Sequence, residues 1–199
     1  PAEKAGLTPG DIIKYVNGTS IYGLPYYRMF LSLLSDKPGN IELSVHKKTI
    51  KKTGKVTLNT ALLNSNTRIS ELKDPILSIQ LTNIDEKSVT ALTNHLTGKK
   101  HLKLIIDLRY YAGGDFDSFL KLTNIFFAES SGCTLTLKEK EKEETFPIGS
   151  KDVLDYRAVV IVNQSTIMYG ELLAALFKET GQAKSGGITI IGQKTPGFI

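Results

Sequence analysis

The residues best suited to chemistry follow an apolar run, Leu104-Ile105-Ile106-Asp107-Leu108-Arg109-Tyr110-Tyr111-Ala112-Gly113-Gly114. The run reads as a buried strand that ends in a charged pair and a double glycine. Glycine leaves backbone N–H groups open to close approach, because no Cβ stands in the way. Placed just before a helix that starts near Asp115, Gly113 and Gly114 could hold an oxyanion. The same pattern also serves an ordinary strand-to-helix turn. Asp107 and Arg109 read either as a structural ion pair or as groups that shape a site.

Other chemistry is sparse. Cys133 is the only cysteine, so no internal disulfide and no cysteine-rich metal site can form. Its neighbours Thr134-Leu135-Thr136-Leu137 read as a strand, which argues against a nucleophile. His46, His95 and His101 follow no ligand spacing. No metal or cofactor is expected. The formal charge is +5, with scattered lysines and no arginine stripe interleaved with aromatics, so nucleic acid is not an expected partner. No apolar run is long enough to span a bilayer. The chain opens on Pro1-Ala2-Glu3-Lys4 without Met and stops at Ile199, and it reads as a fragment.

The elements around these residues fall into two units. Residues 1–60 begin with a helix-like Pro1 to Ala5. Asp11 to Val16 is a strand, Asn17-Gly18 a tight turn and Leu24 to Leu34 a helix with Pro25 in its first turn. Ile41 to Val45 and Val56 to Leu58 alternate as half-buried strands. Residues 61–75 are polar and read as a linker. From 76 to 199, strands (Ile76 to Leu81, Leu102 to Leu108, Tyr156 to Asn163, Ile188 to Ile191) alternate with helices near Glu86 to Leu96, Phe116 to Phe127 and Tyr169 to Glu179. A hairpin covers Thr134 to Ile148. The alternation predicts an α/β fold, mixed α+β in detail, with a partly parallel sheet.

Two segments together resemble a known family. Pro1-Ala2-Glu3-Lys4-Ala5-Gly6-Leu7-Thr8-Pro9-Gly10-Asp11-Ile12-Ile13, followed by Val16-Asn17-Gly18, looks like the middle of a PDZ domain. The second unit resembles the core of the carboxyl-terminal processing peptidases, or tail-specific proteases. That family's Asp-Leu-Arg-x-x-x-Gly-Gly motif stands here as Asp107 to Gly114. Its Val-Asn strand end and Ser-Glu-Ile helix stand as Val162-Asn163 and Gly170-Glu171-Leu172. Its Gly-Glu-Lys-Thr-Phe-Gly-Lys-Gly motif stands as Gly192-Gln193-Lys194-Thr195-Pro196-Gly197-Phe198-Ile199.

The resemblance implies a partial PDZ domain followed by a ClpP/crotonase-like peptidase core, C-terminally incomplete. It implies a serine nucleophile with a desolvated lysine base, acting on protein or peptide C-terminal tails. Gly113 and Gly114 would supply oxyanion N–H groups. Tyr26, Tyr27 and Phe30 on the groove helix are candidates to line a peptide site, with a core role equally open for Tyr27 and Phe30. The family's usual setting implies an extracytoplasmic location, and homo-oligomerisation stays open.

The catalytic positions depart from the motif. Counting back from Glu171, the nucleophile position is Met168, whose thioether has no proton to lose. Counting from Gly192, Thr195 and Gly197, the lysine position is Phe198. The turn Ile167-Met168-Tyr169 is also bulkier than the family's, which would fill space a scissile peptide needs. A displaced dyad of Ser165 or Thr166 with Lys194 or Lys184 stays open. The simpler reading has Ser165 or Thr166 capping the helix and the lysines on the surface. The expected function is therefore that of a tail-specific serine-type peptidase relative with weak or lost activity. The alternative is an inactive tail-binding adaptor or scaffold.

Overall fold

The computed structural model describes residues 2–24, 26–33, 39–60, 67–73, 75–100, 102–111, 113–139, 142–180 and 187–197. It divides into two compact units, Pro1–Asn64 and Ser65–Ile199.

The first unit holds β1 (Ile12–Val16), β2 (Thr19–Ser20), α1 (Tyr26–Leu33), β3 (Asn40–Lys47) and β4 (Lys52–Asn59). Its sheet runs β2-β1-β3-β4, with every pairing antiparallel. Asn17 and Gly18 both take positive φ, 48° and 78°, which is the twist that a two-residue hairpin between β1 and β2 requires. Along β3 the alternate residues Ile41, Leu43 and Val45 are buried, and they form the core of the unit with Val16. The Asp11 carboxylate accepts from the Thr8 N–H, from Lys47 Nζ and from the Lys48 N–H, all at 3.0 Å. These bonds, the Thr8 one foremost, hold the carboxyl well below its usual range.

Two expectations change here. Residues 2–6, within the stretch expected to be helix-like, close only a short turn, with the Leu7 N–H on the Ala2 carbonyl at 3.0 Å. Gly6 then takes a left-handed φ of 78° and Pro9 follows, so the helix cannot propagate. The expected helix of Leu24 to Leu34 is α1, Tyr26–Leu33, with Pro25 and Leu34 outside the described residues. Tyr26, Tyr27 and Phe30 lie on it, but their side chains fall outside what the structure describes.

The second unit holds β5 (Arg68–Lys73), β6 (Ile76–Gln80), α2 (Glu86–Leu96), β7 (Leu102–Asp107), α3 (Phe116–Phe126), β8 (Thr134–Glu139), β9 (Lys142–Pro147), β10 (Tyr156–Val162), α4 (Tyr169–Thr180) and β11 (Ile188–Gly192). Its main sheet runs β11-β10-β7-β6-β5. The first four strands are mutually parallel, and β5 is antiparallel at the edge. β8 and β9 pair separately. Asp85 and Asp115 each cap a helix by accepting from an N–H three residues on, at Ser88 and Ser118, both at 2.8 Å. Val89, Leu92 and Leu96 of α2 are buried, as are Phe119, Leu122 and Phe126 of α3, and they bury their stripes in one core with Leu104, Ile106, Tyr156 and Val160.

The expected linker needs correction. Residues 68–73 are β5, paired along its length with β6. The strand is exposed on most of its length, with Ile69 packing on the core, so it lacks the apolar run that marks a central strand. The mixed α/β fold with a partly parallel sheet is as expected. No helix among the described residues is long and apolar enough to cross a membrane.

Candidate functional site

Parallel register places Gln80, Asp107 and Ile161 side by side, so the turns after β6, β7 and β10 gather at one edge of the sheet. Open α/β sheets place ligands at that carboxyl edge.

The β7 turn is held by side-chain hydrogen bonds. Arg109 Nε and Nη2 donate to the two Asp107 carboxylate oxygens at 2.9 and 2.8 Å, and the Arg109 N–H adds a third bond at 3.0 Å. Burial opposes charge on Asp107, but the Arg109 bonds outweigh it and hold the carboxyl below its ordinary value. The pair is thus part of the turn's structure. Tyr110 follows in the left-handed region at φ 60°. Gly114, at φ 125°, sits where an added Cβ would lie 2.4 Å from the Ile84 carbonyl oxygen, so no other residue fits. Ile84 bridges this turn: its N–H donates to Gly113 at 3.4 Å, and its carbonyl accepts from Asp115 at 3.0 Å. Neither the Gly113 nor the Gly114 N–H takes part in that bridge.

Tyr111 is fully buried, and burial pushes its phenol well above the ordinary value. Its hydroxyl lies against the Ile84 backbone without a well-formed hydrogen bond among the described residues, and the buried Asn83 Oδ1 has no partner among them. Both residues border the glycine pair: Tyr111 Oη lies 3.0 Å from a Cβ built on Gly114, and Asn83 Cβ 3.3 Å from one built on Gly113.

The β10 turn is laced to the β7 turn. Asn163 Oδ1 accepts from the Ser165 N–H at 3.0 Å and from the Tyr110 N–H at 3.2 Å. Thr166 Oγ1, fully buried, accepts from the Asn163 N–H and donates to the Leu108 carbonyl, both at 2.9 Å. The Ile167 N–H donates to the Tyr111 carbonyl at 3.1 Å. Thr166 therefore does not cap α4 as expected. Its hydroxyl is consumed in joining two strand ends. Met168 stands at the start of α4, in the left-handed region at φ 54° and half-buried, with its carbonyl accepting from the Glu171 and Leu172 N–H groups at 3.0 Å. Its side chain offers the helix no capping oxygen.

The bulk expected around Met168 goes elsewhere. Ile167 is buried, and the Tyr169 ring stacks on Phe119 of α3 at 5.2 Å between centroids. The residue that fills the region is Tyr111, which periodicity did not single out. A Cβ on Gly170 would lie 2.4 Å from its ring carbons. The Asx turn at Asn163 is legible in sequence as Asn followed by Ser two residues on.

The β11 turn completes the arrangement. Gly192, at φ 127°, lies so close to Val162 that a Cβ would fall 1.9 Å from its carbonyl oxygen. Glu171 is buried, and its Oε1 accepts from the Gly197 N–H at 2.6 Å. Lys194 is exposed. Phe198 and Lys184 lie outside the described residues. A cleft of about 600 Å³ runs between α4 and β11, lined by Glu171, Lys178, Ile190, Lys194 and Thr195 among others.

The model of peptidase family S41 matches residues 75–198. The chain is 28% identical over 198 residues to a probable CtpA-like serine protease of Staphylococcus epidermidis, covering 97% of this chain and 40% of that protein. It is 27% identical over 201 residues to the carboxy-terminal processing protease CtpA of Bacillus subtilis, covering 98% and 42%. The chain thus spans about 40% of the length of these curated relatives. Among solved structures, the photosystem II D1 C-terminal processing protease shares the fold, with a TM-score of 0.57 at 20% identity, over 100% of this chain and 55% of that one. The motif match from strand to glycine pair, the family model over more than half of the residues and the shared fold agree: this chain belongs to peptidase family S41, among the carboxyl-terminal processing peptidases.

Proposed function

We infer that this protein binds the C-terminal tails of other proteins and cleaves them weakly or not at all. The observation that carries this reading is Met168, which occupies the strained left-handed turn between β10 and α4. Nucleophiles on α/β scaffolds are commonly presented from such strand-to-helix turns. A thioether there can neither lose a proton nor form an acyl intermediate. The neighbouring Thr166 hydroxyl is buried and engaged on both sides. Lys194 is exposed, whereas a lysine base works when desolvated. Phe198 at the lysine position, read from the motif, agrees with loss of the pair.

Tail recognition draws support from elsewhere. The similar proteins are named for C-terminal processing, and the Gly113 and Gly114 N–H groups are free of the Ile84 bridge and suited to a carbonyl or carboxylate oxygen. We take the first unit as part of a PDZ module with α1 as its groove helix, carrying Tyr26, Tyr27 and Phe30. By the same family inference the protein acts outside the cytoplasm.

Two measurements on one preparation test this. A fluorophosphonate probe labels activated serines, and fluorescence anisotropy reads binding of a peptide with a free or an amidated C-terminus. Absence of labelling, with binding that needs the free carboxylate, is the expected result. Labelling at Ser165, or hydrolysis of the peptide, overturns the inactive reading.

A further inference from the structure

The excess positive charge of this protein lies wholly in its smaller unit. Residues 1–64 hold nine Lys and Arg against four Asp and Glu, while residues 65–199 hold sixteen of each. Lys47, Lys48, Lys51, Lys52 and Lys55 all fall in the β3–β4 hairpin, with no acidic residue among them. Two are neutralised: Lys47 Nζ lies 3.0 Å from Asp11 Oδ2, and Lys55 Nζ lies 2.8 Å from Glu42 Oε1. Lys48, Lys51 and Lys52 enter no ion pair among the described residues. The register also sets Lys47 directly opposite Lys52, a like-charge pair that costs the hairpin stability.

The tip is not only charged. Ile50 stands between Lys48 and Lys51 and is 63% exposed. Lys51, at φ 51°, closes the turn, and two eight-residue strands hold the tip in place. Ile12, 58% exposed, lies at the same end of the sheet, because its partner in β3 is His46. An aliphatic side chain presented among unpaired lysines matches the two layers of an anionic bilayer surface. Cations meet headgroup phosphates, and the apolar group reaches the acyl boundary. A nucleic acid would engage the lysines through its phosphates but would leave Ile50 without an apolar partner.

We propose that the β3–β4 hairpin docks on anionic lipid surfaces, with Ile50 entering the interface and Lys48, Lys51 and Lys52 on the phosphates. This stands independently of whether the chain cleaves tails.

Vesicle flotation of the whole chain tests it, with phosphatidylcholine alone or with about one third phosphatidylglycerol added. The chain is expected to float with anionic vesicles only. Joint reversal of three lysines (K48E, K51E, K52E) is expected to weaken retention on the order of 100-fold at low salt. Ile50→Ser is expected to cost roughly tenfold, and to keep its effect when salt screens the lysines. Reversal of Lys87, Lys100 and Lys151, exposed in the larger unit, is expected to change nothing. All of these positions are exposed, and circular dichroism checks that each variant is folded. Equal retention on both vesicles, no effect of Ile50→Ser, an equal loss from the control reversal, or tighter binding to duplex DNA at matched phosphate would each overturn the proposal.

Discussion

Glu171 and Gly197 are joined across 26 residues by one short bond, the Glu171 carboxylate accepting from the Gly197 N–H at 2.6 Å. Glu171 lies three residues after Met168, and Gly197 immediately precedes Phe198. On the proposed alignment, the bond links the segments that carry the nucleophile and base positions. Removing the acceptor leaves an N–H without its partner, and hydrogen bonds to charged groups are worth about 1.5–3 kcal/mol. Glu171→Ala is expected to destabilise the chain by about 2 kcal/mol and to speed amide exchange at Gly197. Glu171→Gln, which keeps an acceptor oxygen, is expected to lose less than half of that. Thermal unfolding and hydrogen exchange measure both, and unchanged exchange at Gly197 would contradict the role assigned to the bond.

Tyr111 and Gly170 form a second coupled pair. The ring lies where a Cβ on residue 170 would sit, at 2.4 Å. Gly170→Ser is therefore expected to destabilise by about 2–3 kcal/mol through overpacking, despite the better helix propensity of Ser. In a Tyr111→Asn background the same change should cost much less, with a coupling energy of about 1–3 kcal/mol in a double-mutant cycle. Additive effects in denaturant unfolding would show that the ring does not press on the helix.

Much of this fold is legible along the chain. Asp85 and Asp115, each three residues ahead of a serine, mark two helix starts, and the apolar spacing of Val89, Leu92 and Leu96 gives the buried face between them. β7 and β10 read as strands from their apolar runs, although one face only is buried: Leu104, Ile106, Ala158 and Val160 are, whereas Ile105, Val159 and Ile161 are half-buried and Lys103 and Arg157 exposed. The edge strand β5 escapes notice, since one neighbour and much solvent leave it nearly without an apolar signature. Side-chain destinations are the harder matter. Thr166 looks like a local helix cap, yet its hydroxyl reaches Leu108, 58 residues away. Tyr111 and Tyr169 are both bulky and near the turn, but one lies against Gly170 while the other stacks on α3. Long-range pairing decides these, and no periodicity within a segment encodes it.

The Asp107–Arg109 clamp predicts a specific acid response. The Asp107 carboxyl is held below its ordinary value in the folded chain, so the unfolded chain binds the extra proton first. The stabilisation from this group is complete above roughly pH 4, the ordinary carboxylate range, and fades as pH falls through the lowered folded value. Asp107→Asn is expected to lower stability near neutral pH by about 1–2 kcal/mol, given an Arg109 that is half exposed, and to flatten the acid limb. Melting curves of both proteins between neutral and acid pH should converge. Parallel curves would show that Asp107 does not titrate differently in the two states.

The inactive reading predicts what would restore chemistry. Met168→Ser supplies an alcohol at the start of α4, on the left-handed backbone that residue 168 holds. Alone it is not expected to cleave, because Phe198 offers no amine to take the alcohol's proton. Phe198→Lys alone supplies an amine without a nucleophile. Catalytic groups that act as a unit are strongly non-additive, so each single change should give no turnover above the parent, while the pair gives measurable hydrolysis of a tail peptide and fluorophosphonate labelling at residue 168. Mass spectrometry of the labelled peptide locates the adduct. If Met168→Ser alone turns over substrate, a base other than residue 198 is already in place, with Lys194 the first to replace. If the parent chain itself cleaves, the assignment of Met168 as a lost nucleophile fails.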